Sequence, residues 1–151
     1  MLLAEAIREK DYIEESITSL EKYILVFMAV HDKTEVRTNK TLIEGRLDEL
    51  KELYKKYQQF SVTIERAKAR ASIKVNDTTL SLLDATAIKN AMNLKLESYE
   101  ALLDAAAAKN EKDKIVVCID MDELFKYIEN IKIDIKTLES EMNYAHWNIE
   151  V

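Results

Sequence analysis

Residues 121–146 read "MDELFKYIENIKIDIKTLESEMNYAH", and the placing of their apolar positions decides the fold. Met121, Leu124, Ile128, Ile131, Ile135, Leu138, Met142 and Ala145 recur at alternating steps of three and four without a break. An α-helix turns once in about 3.6 residues, so this spacing lays all eight side chains along one side of one helix. The stripe is a continuous a/d seam, roughly 36 Å long at about 1.5 Å rise per residue. Asp120 stands ahead of it as an N-cap, and Asp122 and Glu123 suit the positive end of the helix dipole.

The same period extends outward from this stretch. Ile13, Ile17, Leu20, Ile24 and Phe27 mark a first helix, and Ile43, Leu47, Leu50, Tyr54, Tyr57 and Ile64 a second. A third, from about 79 to 109, carries a looser stripe through Ile88, Met92, Leu96, Tyr99 and Leu103, with Thr78 or Thr79 as its cap. The chain has no proline and a single glycine, Gly45, so little interrupts regular structure. The expected fold is mainly α: one domain over residues 1–151, an up-down-up-down bundle of four long helices, with a small β element in the inter-helix connections.

Three connections join these helices: "HDKTEVRTNK" (31–40), "SIKVNDTT" (72–79) and "EKDKIVVCID" (111–120). The third holds five consecutive β-prone apolar residues, 115–119, too few for a helix and suited to a strand. In the bundle topology that strand would meet residues 34–38, with Val36 at the centre, or pair with another subunit. Cys118 would then alternate along it as a buried small hydrophobe.

Composition narrows the functional classes. The chain is 151 residues long with a net charge of −6, and its one basic stretch is "ERAKARASIK" (65–74). Such a balance does not hold a duplex by its phosphates, so no duplex nucleic acid is expected as a partner. The opening "MLLAEAIREKDY" lacks a basic leader and meets Glu5 at once, and the longest uncharged apolar run, residues 23–30, is eight residues. A membrane-spanning helix needs about 20. A cytoplasmic protein is expected, without membrane association.

Neither a metal nor a cofactor is expected. A carboxylate-bridged metal pair in a helical bundle needs Glu-x-x-His, and neither His31 nor His146 has a glutamate three residues before it. One cysteine makes no cluster, and one glycine makes no phosphate-cradling loop.

Hydrophobic surface, by contrast, exceeds what one bundle hides. "YILVFMAV" (23–30) is apolar on every face of its helix, and Ile133 and Trp147 fall opposite the α-helical seam if its phase continues. Tyr23, Phe27, Ile133, His146 and Trp147 are therefore the candidate interface or latch residues. Trp147 reads as an apolar latch fastening the chain end near Leu2 and Leu3, with His146 at its rim or in a small recognition corner.

Five stretches also resemble a family of uncharacterised bacterial proteins called septicolysin-like: "LLAEAI", "LDELKELYKKY", "NDTTLSLL", "VVCIDMDELF" and the closing "LESEMNYAHWNIEV". The resemblance runs almost end to end. His146 departs from the family's Ala-Asn-Trp ending, and "IERAKA" departs from its usual end to the second helix. The resemblance implies long helices with a small β element and no established catalytic residues, and the family's name implies a pore-forming toxin.

The residues thus point to a non-enzymatic, self-associating helical protein, most simply a dimer joined through residues 23–30, that binds a protein partner. Two alternatives stand beside it: a membrane-active, pore-forming protein, and an acidic inhibitor of a nucleic-acid-binding partner.

Overall fold

The computed structural model describes residues 1–113 and 118–151. It is mainly helical, with four long helices and one two-stranded sheet among the described residues. The chain divides into two compact units, residues 1–67 with 147–151, and residues 68–146.

In the first unit, α1 spans Leu3–Phe27 and α2 spans Val36–Arg70, its last turn passing into the second unit. Ile13, Ile17 and Leu20 of the α1 seam are buried, as their spacing requires. The helices run antiparallel: the Tyr54 hydroxyl donates to Glu21 at 3.0 Å, and the Lys10 ammonium stands 5.6 Å from the Tyr57 ring centroid. Residues 31–40 hold less connection than expected. Asp32 caps a short 3-10 turn, Lys33–Glu35, by accepting from the Thr34 amide at 2.9 Å, and α2 starts directly at Val36. Residues 36–38 are therefore helical and offer no edge to a strand.

The ends of the chain are fastened by backbone. Leu2 and Glu150 form an antiparallel bridge, the Leu3 amide donates to the Ile149 carbonyl at 2.7 Å, and the Val151 amide donates to the Met1 carbonyl at 2.9 Å. Glu5 accepts from the Leu2 amide at 2.8 Å, which satisfies a donor that the first turn of α1 leaves free.

The second unit contains β1 (Ser72–Val75), β2 (Thr78–Ser81), α3 (Leu82–Asp113) and α4 (Met121–His146). Leu124, Ile128, Ile131, Ile135, Leu138, Met142 and Ala145 of the α4 seam are all buried. The Asp120 carboxylate accepts from the Asp122 and Glu123 amides at 3.0 and 3.1 Å, the N-cap its position implied. Antiparallel α3 lies beside α4, and two ion pairs cross between them, Lys89–Glu139 and Lys132–Glu100, each at 3.3 Å.

The β element lies in a different connection from the one expected. Of the strand at 115–119, residues 115–117 lie outside the described residues, and Cys118 and Ile119 form an exposed bend, so Cys118 is not a buried hydrophobe. The sheet is a hairpin built from "SIKVNDTTLS", pairing Ser72 with Ser81 and Val75 with Thr78. Asn76 and Asp77 turn it with φ of 48° and 65°. Positive φ at both central residues is the type I′ turn, whose twist matches that of paired strands, and Asn and Asp tolerate it better than other side-chain-bearing residues. Thr78 and Thr79 are consequently strand residues. The cap of α3 is Ser81, whose hydroxyl accepts from the Asp84 amide at 2.9 Å.

The turn makes a direct prediction. Asp77→Gly removes a Cβ from a left-handed position and should raise stability by about 0.5–1 kcal/mol, whereas Asp77→Val should lower it by more. Urea midpoints at constant slope would measure both, and an unchanged midpoint for Asp77→Gly would remove the turn from the stability argument.

Candidate docking site at the apolar tip of α1 and α2

The end of α1 and the start of α2 form an apolar tip. No basic residue stands in the last turn of α1, and Met28 follows as its C-cap. The carbonyl of Phe27, which the helix leaves without an internal partner, accepts instead from the Asn39 side-chain amide of α2 at 3.2 Å. This bond holds the tip together. Beneath it, Phe27, Met28, Val30, Val36, Ile43 and Leu47 line a groove of about 360 Å³, edged by Lys40 and Glu44.

Tyr23 and Phe27 come together, ring centroids 4.7 Å apart and tilted by 39°. The Arg46 guanidinium covers the Tyr23 ring at 5.1 Å and bonds Glu49 at 2.8 Å. The bond and the charge of Glu49, with Tyr23 beside it, hold the Arg46 proton more firmly than usual. Similarly, the bond to Glu21 raises the Tyr54 hydroxyl above its ordinary pKa, because ionisation would place two negative charges together.

Around these contacts the surface stays open and apolar. Leu25, Val26 and Met28 are 66, 72 and 67% exposed. That is what eight uncharged residues at a helix end produce when one neighbouring helix covers only one side. Val36, Asn39 and Arg46 complete the site; Val36 was expected in a strand pairing, and Asn39 and Arg46 were not singled out by the sequence. Their only signal was the α2 stripe beginning at Ile43.

The other candidate residues do not join this tip. Ile133 lies on the outer side of α4 and is 60% exposed, the placement its phase implied. α4 ends at His146, so Trp147 has left the helix and has no helical phase. It is 50% exposed, with the Arg8 guanidinium 5.5 Å from its ring centroid. The expectation of a buried indole latch is corrected: the backbone pairing of residues 1–3 with 149–151 fastens the chain end, and the indole packs under one cation.

The His146 Nε2 is buried and has no hydrogen-bond partner among the described residues. Burial, then the positive charges of Lys68 and Lys89, push its pKa below the ordinary histidine value. As to chemistry, the described residues contain no group of three or more His, Cys, Asp or Glu side chains that could hold a metal ion. No helix among them is long and apolar enough to cross a membrane.

Comparison with solved structures finds one strong likeness, to a functionally unknown conserved protein from Corynebacterium diphtheriae. The two chains superpose with a TM-score of 0.84 at 20% sequence identity, over 98% of this chain and 96% of that one. At that identity the likeness shows a shared fold and nothing further. No protein-family model matches the sequence, and no curated protein matches it.

Two measurements test the chain end. Trp147→Ala should cost about 1 kcal/mol, the scale of an exposed cation–π contact with partial burial, against about 3–5 for a fully buried aromatic. The native indole emission should be readily quenched by iodide, and blue-shifted, protected emission would contradict the exposed placement. For His146 the folded pKa lies below the unfolded value, so the unfolded state binds the proton more tightly. The neutral imidazole's contribution is complete above an ordinary value of about 6.5 and is lost as pH falls from there through the lower folded value. His146→Asn should therefore flatten the fall in melting temperature between pH 7.5 and 5.5. Parallel curves for the two proteins would show that His146 does not contribute.

Proposed function

We propose that this protein is a non-enzymatic, cytoplasmic, self-associating helical bundle whose apolar tip docks against a second copy of the same chain. The observation that carries the reading is the exposure of Leu25, Val26 and Met28 beside the groove under Phe27. Contiguous apolar surface rimmed by polar groups marks interaction sites on folded proteins.

Charge favours a second copy as the occupant. Between Glu21 and Leu47 the chain holds five basic and four acidic groups, while the whole chain carries −6. Two copies of so acidic a chain repel on the whole, but the tip is close to neutral. Lys40–Glu44 and Arg46–Glu49 place both signs at its edge. A two-fold contact brings one patch onto itself, so a rim of mixed sign can complement its own copy. The antiparallel runs of α1 with α2 and of α3 with α4 support an up-down-up-down arrangement of the four helices. A protein partner of the assembled form belongs to the same reading.

The exposed side chains also favour a second reading, a membrane-active protein that inserts its tip into one leaflet, consistent with the resemblance to septicolysin-like proteins. Light scattering and liposome leakage separate the two. The native protein should have a two-chain mass at micromolar concentration. Val26→Glu with Met28→Glu should weaken association by roughly 100-fold or more, because each copy then buries unpaired charge. A one-chain mass throughout the micromolar range would overturn self-association through the tip. Dye release from anionic vesicles that the same substitutions abolish would favour the membrane reading.

A further inference from the structure

α3 carries apolar residues on two opposite sides. At about 100° per residue, Ala85, Ile88, Met92, Leu96 and Tyr99 share one side, and all are buried or half-buried. Leu83, Ala87, Asn90, Ala91, Leu94 and Ser98 share the other, and all six are exposed, Leu83 by 43% and Leu94 by 66%. No charged residue falls on that outer side between Leu83 and Ser98. The exposed face of a surface helix is ordinarily its charged face, so this one is built for another surface.

We propose that this face is a second self-association site, in which α3 pairs antiparallel with α3 of another copy about a two-fold axis near position 89. Its flanking charges identify the occupant. Asp84 and Lys95 lie on the same flank, 11 residues or about 16 Å apart. Neither makes an ion pair among the described residues, and the Lys95 ammonium rests 5.6 Å from the ring centroid of Tyr99 on its own helix. When two antiparallel helices meet about a two-fold axis, each flank faces the same flank of the other copy. Asp84 then meets the partner's Lys95, and Lys95 meets the partner's Asp84.

That register fixes everything between them. Leu83 packs against the partner's Leu94, and Ala87 against the partner's Ala91, where small side chains let the axes approach to about 8 Å. Asn90 meets its own copy beside the axis, where paired side-chain amides can hydrogen-bond, a device that sets register in paired helices. On the other flank Thr86 faces the partner's Asn93. No like charges are opposed anywhere in the overlap. An acidic or basic partner would find no complement on a neutral face, whereas a second copy satisfies both flanks. The contact uses none of the tip residues and is independent of them.

Disulfide trapping tests it, in a Cys118→Ser background because Cys118 is exposed. Asn90→Cys should give a disulfide-linked dimer under mild oxidation at least tenfold faster than Ser98→Cys. Ser98 lies on the same face, but the register sets its two copies about 25 Å apart. Adding Asp84→Lys should slow trapping at position 90 about tenfold, and adding Lys95→Asp to that variant should restore it. All these positions are exposed, and unchanged circular dichroism would confirm the fold. Equal trapping at positions 90 and 98, or none at 90, would overturn the proposal, as would trapping indifferent to the charge exchange. Val26→Glu with Met28→Glu should leave trapping at position 90 intact, so failure at the tip and failure at α3 are read separately.

Discussion

The burial of one side of α4 is the constraint on which the second unit depends. Seven apolar side chains, from Leu124 to Ala145, are withdrawn from water along a single line. Each large one contributes about 1.5–3 kcal/mol, and they do so together only if the helix is unbroken and its neighbours run alongside its whole length. α3 meets that demand by lying antiparallel, with Lys89–Glu139 and Lys132–Glu100 bridging the pair. Those ion pairs are partly exposed and add little energy. Their value is in opposing a slip of one helix along the other, which would place Lys89 and Lys132 away from their carboxylates. The hairpin follows from the same demand, since the chain must leave α2 and enter α3 cleanly. The Asn76–Asp77 turn and the Leu82 amide bond to the Ala71 carbonyl make that passage in ten residues, 72–81.

The first unit solves its packing less completely. α1 hides Ile13, Ile17 and Leu20, but of the 35 residues in α2 only Ile64 is fully buried. The α2 stripe through Ile43, Leu47 and Tyr54 stays half-covered or exposed, with Leu47 at 40% and Tyr54 at 48%. Side chains bridge the two helices through rings and charges, Arg46 over Tyr23 and Lys10 over Tyr57, where close aliphatic packing is missing. Cation–π contacts hold longer distances than interlocked leucines do, so they suit a pair that leaves a groove. The open tip is thus a consequence of how α1 and α2 are written. Residues 23–30 are apolar on all sides, and one facing helix can cover only one of them.

How much of this could be read from the sequence depended on how many residues repeated each signal. The α4 seam was legible because eight positions repeat one rule. Phe27 extends the α1 stripe and Tyr23 opens the uncharged run at its end, so both stood out in the sequence. The hairpin was not: its strands are four residues each, and its turn is Asn-Asp instead of the more telling Asn-Gly. Alternation of Ile73 and Val75 was its one signal, and five apolar residues at 115–119 outweighed it. The start of α2 escaped because the β-branched Val36 and Thr38 favour helix weakly, and the capped 3-10 turn before them decided the matter. Trp147 was misplaced for a different reason. Its burial was expected because the bundle topology brings it to the same end as Leu2 and Leu3, and there the backbone pairs residues 149–151 with 1–3 while the indole stays half-exposed.

α3 shows why periodicity is a stronger guide when it is asked which sides are apolar, and not only whether one is. Its stripe looked loose because two stripes were superimposed. One is the side with Ala85 and Met92, which the chain covers. The other, with Leu83 and Leu94, remains exposed. A helix written this way has two packing obligations, and the single chain meets one. The tip of α1 and α2 stands in the same position with respect to Leu25 and Val26. On the proposed reading each face meets its own copy about a separate two-fold axis. Two such axes have a defined consequence. If they are perpendicular and intersect, four chains close into a tetramer of dihedral symmetry, and if they do not, the chains continue into an open array. Either way the size distribution is set by protein concentration, because each contact forms between separate chains.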